Sequence, residues 1–362
     1  MSDRSVPPSI MRRLALALVM LIPLLPLLPV VSGAAQDKLT VTMVTDTAGL
    51  GDQNFNDLAK RGLDRAVTEL GVKGEVIESR DAAAYIPNLT QAAEQSDLTV
   101  GVGFLLHDAI TEIAKQYPDD EFLLIDSVSD APNVASVTFR ENEGAFLAGV
   151  VAGLTTKTNK VGVVAGVKIP PVIRYAVGFE AGVKSANPKA QVVVAYADTF
   201  DDPALGKELT LAQYNKGVDI VLPVAGRTGI GSFDAAKEKG EGFWVIAGDT
   251  DQSQLGADHQ LAVATKGVET AVFTVAKQVV DDQFQGGEQS LGLKEGGVGL
   301  STPGDHVAPD VLAVADQYKQ AVIDGRVKVP ATDDELKAFQ PVAADSLGSA
   351  TTASPVSATP TS

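Results

Sequence analysis

The 362-residue chain contains no cysteine, which excludes disulfides, thiolate zinc sites, iron–sulfur ligation and thiol nucleophiles together. The fold must therefore stand on packing alone. Histidine is scarce as well: His107, His259 and His306 are the only three, and none shows metal-ligand spacing such as His-Glu-x-x-His. A Gly-x-Ser-x-Gly nucleophile elbow is missing, and adjacent acids such as Asp201 and Asp202 are ordinary on an acidic surface. We therefore expect no catalytic residue, no metal and no cofactor. Positive charge is also in deficit, with 29 Lys and Arg against 46 Asp and Glu and a formal net charge of −17. Such a surface repels nucleic acid phosphates and anionic membrane faces, so no nucleic acid partner is expected and a neutral or cationic small molecule suits it better. Finally, from Gln36 onward no apolar run is long enough to cross a bilayer.

The one long apolar run lies at the front. Arg12 and Arg13 precede apolar residues 14–31, and Ser32-Gly33-Ala34-Ala35 follows, the pattern of a secretory signal cleaved after Ala34. The competing reading, an uncleaved anchor, is opposed by Pro23, Pro26 and Pro29 within the run. Residues 1–34 are thus expected to be a signal peptide. Residues 342–362, rich in Ser, Thr, Ala and Pro, are expected to be a disordered tail.

Between these ends 45% apolar composition and a steady alternation of elements indicate an α/β fold with a large core. Short apolar runs at 39–44, 72–77, 98–102 and 122–125 are each followed by polar or glycine-rich punctuation, and most by a helical pattern. This is the signature of a parallel sheet. The clearest helix places Phe55, Leu58, Ala59, Gly62, Leu63, Ala66, Val67 and Leu70 on one stripe, with Gly71 to end it and Asp52 or Asn54 to cap it. A second series of strands at 161–165, 191–197, 220–223 and 243–247 repeats the rhythm, with helical stretches at 172–186, 204–216 and 232–239. A helix-like segment at 143–154 lies between the series, and a later one at 268–282 suggests a return to the first half. The reading is two doubly wound lobes with an interlobe ligand cleft: lobe 1 over 38–153 with a return at about 267–292, lobe 2 over 157–262 with about 293–335. Ligands of such sheets lie beyond the carboxyl ends of the strands, so residues there carry most weight.

Several acids and aromatics occupy those positions. After the first strand the loop runs Thr45-Asp46-Thr47-Ala48-Gly49-Leu50-Gly51-Asp52-Gln53-Asn54-Phe55-Asn56. Asp46 and Asp52 offer acceptors and Phe55 a flat ring; equally, Asp52 reads as a helix cap and Phe55 as a core staple. Asp126 directly follows four apolar residues, where it can accept N–H groups of a base or of a neighbouring loop. Gly226 lies in the glycine-rich turn Ala225-Gly226-Arg227-Thr228-Gly229, which lacks the Lys-Ser/Thr ending of a phosphate-binding loop and suits close backbone approach to a ligand. Gly101-Val102-Gly103 likewise lacks the third glycine of a dinucleotide fingerprint. Asp249 follows the 243–247 strand, and one carboxylate there matches two adjacent ribose hydroxyls. Lys266 is positioned to donate to the same sugar, to neutralise Asp249, or simply to face solvent, and Phe200 is either a second ligand aromatic or core.

Taken together, these segments resemble the basic membrane protein family of transporter-associated binding proteins, whose characterised members include purine nucleoside receptors. The resemblance runs from about residue 39 to 330 and rests on Gly51-Asp52-Gln53-Asn54-Phe55-Asn56, Ile125-Asp126 with Ala131-Pro132-Asn133-Val134-Ala135-Ser136-Val137, Glu143-Gly144-Ala145-Phe146-Leu147-Ala148-Gly149, Ala225-Gly226-Arg227-Thr228-Gly229 and Gly248-Asp249-Thr250-Asp251-Gln252. It implies a type I periplasmic-binding-protein fold with a nucleoside between the lobes. It further implies Phe55 as the purine-stacking ring, Asp46, Asp52 and Asp126 as polar contacts from the first lobe, Gly226, Asp249 and Lys266 at the ribose end, and Phe200 as a second aromatic. Two features depart from the family's pattern. The chain has no cysteine for lipidation at the signal cleavage site, and Arg227 stands where that turn commonly has glycine, putting a cation beside the expected ribose site. The expected protein is an exported, monomeric solute receptor of an ABC importer, with a membrane permease as partner. The alternatives are a ligand sensor for a membrane receptor and an exported nucleoside hydrolase.

Overall fold

A computed structural model describes residues 38–347, so the expected signal peptide, 1–34, and residues 348–362 of the expected tail lie outside the described residues. The first half of the chain runs β1 (Thr40–Val44), α1 (Phe55–Leu70), β2 (Lys73–Ile77), α2 (Tyr85–Ala93), β3 (Leu98–Gly101), α3 (His107–Gln116), β4 (Glu121–Ile125) and β5 (Val134–Phe139). Helix α4 (Glu141–Thr155) then leads into β6 (Lys160–Ala165), α5 (Pro170–Ala186), β7 (Gln191–Tyr196), α6 (Pro203–Asn215), β8 (Ile220–Val224), α7 (Ile230–Lys239), β9 (Trp244–Asp249), the short α8 (Ser253–Gly256) and β10 (Gln260–Lys266). The chain finishes with α9 (Val268–Val280), β11 (Gly287–Leu291), β12 (Val298–Ser301), α10 (Pro309–Ile323) and α11 (Asp333–Ala338).

These strands form two six-stranded sheets, ordered β11-β5-β4-β3-β1-β2 and β12-β10-β9-β8-β6-β7. All pairings are parallel except β10 with β12. Each sheet therefore repeats the doubly wound order 2-1-3-4-5 with one added edge strand, and each has its switch point beside its first strand. The expected two-lobed α/β architecture is the one observed. β4 and β8 are short, near-continuous apolar runs because helices cover both faces of each sheet.

The chain passes between the lobes three times: from β5 into α4, from β10 into α9, and from β11 to β12. α9 packs on α1 of the first lobe, whereas α4 packs on α5, α10, β10 and β12 of the second. β11 carries no apolar run, reading Gly-Glu-Gln-Ser-Leu, and its pattern gives no hint of a strand. It exists because β5 presents a free parallel edge to it, with Gly287 to Leu291 in register with Ala135 to Phe139.

The α4–α5 contact positions two charged residues, Glu141 on α4 and Arg174 on α5. α4 is buried almost all round, from Glu141 to Gly153, so it cannot rely on an amphipathic stripe. Instead small residues bring the two backbones together: a Cβ on Gly182 would lie 2.0 Å from the Phe146 carbonyl oxygen. The chain end also differs from expectation. Residues 342–347, expected to begin the disordered tail, pack on the body: the Tyr318 hydroxyl donates to the Val342 carbonyl (2.5 Å), Arg326 donates to the Leu347 carbonyl (2.6 Å), and Leu347 is buried. A buried tyrosine hydroxyl needs an acceptor, and the segment supplies one that composition could not reveal. Among the described residues no helix is long and apolar enough to cross a membrane.

Replacing Gly182 by Val should lower the unfolding free energy by about 1–3 kcal/mol through forced separation of α4 and α5. Urea denaturation checks this, and an unchanged midpoint would show that the helices can part freely.

Candidate functional site

The loop after β1 is organised by acids that accept backbone N–H groups. Asp52 is fully buried; one carboxylate oxygen accepts from Asn54 N (2.9 Å) and Asp57 N (3.1 Å), the other from Asn56 N (2.8 Å) and the Asn56 side chain (3.3 Å). It thereby caps α1, where a negative charge also suits the helix dipole. The Asn54 side chain makes no cap, so of the two expected capping residues only Asp52 serves. Asp57 accepts from Gly51 N and Gln53 N, and Glu78 from Leu50 N (2.8 Å). Asp46 Oδ1 accepts from Ala48 N (3.0 Å) and the Asn56 amide (2.9 Å).

Eight residues expected from sequence, Asp46, Asp52, Phe55, Asp126, Phe200, Gly226, Asp249 and Lys266, line one cavity of about 70 Å³ between the lobes. Asp46, Asp52, Phe55 and Asp126 come from the first lobe; Phe200, Gly226, Asp249 and Lys266 come from the second. Asp126 and Asp249, each at the end of a strand, adopt left-handed backbone conformations (φ +70° and +61°). Strain of that kind costs about 1–3 kcal/mol per residue and collects at functional sites. Gly226 is also left-handed (φ +52°), and a Cβ there would approach the Phe200 carbonyl oxygen to 3.3 Å and Ala48 of the other lobe to 3.6 Å. The Ala48 distance is ordinary contact, so the left-handed backbone and the nearby Phe200 carbonyl are what favour glycine here.

The electrostatic centre of the cavity is Lys266, whose ammonium lies 2.6 Å from Asp126 Oδ2 and 3.0 Å from Glu141 Oε1. Arg174 completes the array with a bond to Glu141 Oε2 (2.5 Å). The solvent-facing reading of Lys266 is thereby corrected: it bridges the two lobes through Asp126, and its charge also offsets that of Asp249 without a direct ion pair. Burial disfavours the ammonium, yet Asp126, Glu141 and Asp249 outweigh that and hold its pKa above the ordinary lysine value. One cation shared among several buried carboxylates does not satisfy them all. Burial pushes Asp126 up to about 6 even beside Lys266, and it raises Asp249 as well. Asp46 is likewise pushed up to about 6 by burial, partly offset by its bonds from Asn56 and Ala48.

Asp126 Oδ1 is buried and has no hydrogen-bond partner. A buried acceptor without a donor costs about 1–3 kcal/mol, so this atom is arranged for something that brings an N–H or O–H. Asp249 accepts from the Tyr175 hydroxyl (2.5 Å). With its amide nitrogen turned toward the acceptors, Asn54 donates to Asp249 Oδ2 (3.1 Å) and the Gly248 carbonyl (2.9 Å), again across the lobes. The Lys266 ammonium also lies 4.9 Å from the Phe55 ring centroid, a cation–π distance. Among the described residues no cluster of His, Asp and Glu could hold a metal ion.

Sequence reasoning missed Glu141, Arg174 and Tyr175. Arg140-Glu141-Asn142-Glu143 reads as a solvated helix start, and only the burial of α4 turns Glu141 into an interior anion. A usable signal did exist for α5: Pro170 and Pro171 open a helix just beyond β6, which places its first turns at the crevice end of the sheet. Arg227 is a second correction. It does not line the cavity; it pairs with Asp201 (3.1 Å) and donates to the Leu50 carbonyl (2.6 Å).

Two doubly wound lobes enclosing a largely apolar cavity with a few buried carboxylates define a solute-binding protein of the type I periplasmic fold. The chain belongs to the family described as ABC transporter substrate-binding protein, PnrA-like, whose pattern it matches over residues 39–333. It is similar to the CD4+ T-cell-stimulating antigen of Listeria monocytogenes, 39% identical over 351 residues, covering 88% of this chain and 98% of that protein. The ABC transporter nucleoside-binding protein BmpA of Lactococcus lactis is 35% identical over 321 residues, covering 83% and 91%. Among solved structures, an ABC transporter solute-binding protein from Aeropyrum pernix superposes with a TM-score of 0.76 at 32% identity, covering 83% of this chain and 96% of its own.

Two measurements test the electrostatics. Asp46 has a folded pKa of about 6 against 3.8 unfolded, so its contribution to stability is fully present below about 3.8 and lost as pH rises through about 6. Asp46→Asn should therefore gain about 2–3 kcal/mol over the original protein at pH 7 relative to pH 4, measured by denaturant melts across that window. Lys266→Met should cost about 3–5 kcal/mol by stranding Asp126 and leaving Glu141 with Arg174 alone, and adding Asp126→Asn should recover part of it. Additive losses in that double-mutant cycle would show that the pair is not coupled.

Proposed function

We propose that this chain is the exported receptor of an ABC importer and that its ligand is a purine nucleoside, held by closure of the two lobes. The observation that carries this reading is the unpartnered, buried Asp126 Oδ1 in a cavity that also presents Phe55 and Phe200. A purine ring offers N–H donors to the carboxylate and a flat face to an aromatic. Asp249, opposite in lobe origin, is a carboxylate of the kind that accepts adjacent ribose hydroxyls, with Tyr175 and Asn54 holding it in place. Asp46 and Gly226 complete the walls. Asp52 fits the helix-cap reading of the sequence: with four donors on its oxygens it holds the loop that carries Phe55. The naming of the Lactococcus lactis relative as nucleoside-binding supports the same ligand class.

The mechanism is physical. First-lobe groups take the base, second-lobe groups take the sugar, and binding favours the closed arrangement because only there do both sets reach the ligand. No covalent step is involved and the protein acts as a monomer, passing its ligand to a membrane permease. A relative from Pyrococcus horikoshii is named a lipoprotein. The sequence contains no cysteine, so that mode of attachment is not carried over to this chain.

Calorimetry with inosine and guanosine is expected to show binding, and Asp249→Ala to abolish it with thermal unfolding of the free protein retained. Phe55→Ala should weaken it by roughly tenfold or less, as expected for lost ring stacking of about 0.5–1.5 kcal/mol. Absence of heat with any nucleoside, or release of free base on incubation with inosine, would defeat the proposal.

A further inference from the structure

Contacts between the lobes are not confined to the cavity. At its mouth Arg227, just after β8, donates from Nη2 to the Leu50 carbonyl in the loop after β1 (2.6 Å). Neither residue lines the cavity. Both partners are braced from behind: Asp201 lies 3.1 Å from Arg227 Nε, and Leu50 N donates to Glu78 (2.8 Å). Gly49 keeps the loop in a left-handed turn (φ +63°), and a Cβ there would lie 2.9 Å from Glu78 Oε2. The turn carrying Arg227 is itself tied to the cavity wall, because Thr228 N donates to the Phe200 carbonyl (3.1 Å). Further bonds between the lobes lie outside the cavity. Gln252 donates to the Gln53 carbonyl (3.0 Å), Gln254 to the Gln53 side chain (3.2 Å), and Arg61 to the Thr250 hydroxyl (3.0 Å).

We propose that Arg227 is a closure-holding residue: its bond to the Leu50 carbonyl keeps the lobes together across the cleft mouth and sets the residence time of whatever ligand the cavity takes. The bond exists only when the lobes meet, so its free energy favours the closed arrangement alone. Because Arg227 does not touch the cavity, it cannot distinguish one ligand from another. It acts equally on all of them, through the rate of opening. A bond from a guanidinium to a half-buried carbonyl is stronger than one between neutral groups, and its loss corresponds to about tenfold in the closing equilibrium.

The residence-time part rests on the nucleoside reading above, so the test has two arms. Because the chain has no cysteine, Glu112→Cys and Glu208→Cys place a unique spin-label pair, one on α3 and one on α6. Without added ligand, Arg227→Ala should shift the interlobe distance distribution to longer separations, and Arg227→Lys, which keeps a cationic donor, should shift it less. Stopped-flow release of inosine and guanosine should accelerate about tenfold in Arg227→Ala, by the same factor for both, with cooperative thermal unfolding retained. Unchanged distances overturn the proposal, as do unequal factors for the two nucleosides, which would mean that Arg227 contacts the ligand. If neither nucleoside binds the original protein, the ligand reading fails, while the distance arm still decides for or against the latch.

Discussion

One buried ion pair organises the space between the lobes. Lys266 ends the last parallel strand of the second lobe, and Asp126 follows the fourth strand of the first. Their contact at 2.6 Å, in surroundings almost without solvent, couples the two sheets at the point where the chain also crosses between them. Buried charge pairs are expensive to assemble and are weak contributors to net stability; what they enforce is geometry. Here the geometry is useful because the pair is incomplete. Lys266 spends itself on one oxygen of Asp126 and one of Glu141, and leaves the second oxygen of Asp126 unanswered.

The same economy of donors runs through the rest of the site. Asp46, Asp52, Asp57 and Glu78 accept backbone N–H groups from a single loop, so a stretch with no regular structure is held by side chains instead. A loop held in this way can carry Phe55 and Asn54 to fixed positions without a helix or strand beneath it. The net charge of −17 is thus not only a property of the surface. Part of the acidity is consumed inside as loop scaffolding, and part stays available in the cavity, where burial raises the carboxylates toward protonation.

The βα rhythm could be read directly because parallel strands buried on both faces are continuous apolar runs, and their helices are punctuated by glycine and proline. β11 escaped because its residues are polar and it is defined by its neighbour. Candidate site residues were legible for a related reason: in a doubly wound sheet the position after a strand end is a place, and an acid there is informative. That logic found Asp46, Asp126, Asp249 and Lys266. It could not find Glu141 or Arg174, which lie on helices whose burial depends on how α4 and α5 pack. Nor could it direct Arg227, whose partners Leu50 and Asp201 both lie far upstream in the chain.

From sequence alone came the α/β class, the duplication into two lobes, the lack of thiol chemistry, and the set of residues placed at strand ends. All of these follow from local composition and periodicity, which act over a few residues. The tertiary structure alone decided how those residues divide their work: which acid caps a helix, which pairs with Lys266, and which keeps a free oxygen. Hydrogen-bond saturation is a property of three-dimensional neighbours, and the same aspartate is scaffold or acceptor according to how many N–H groups the fold brings to it.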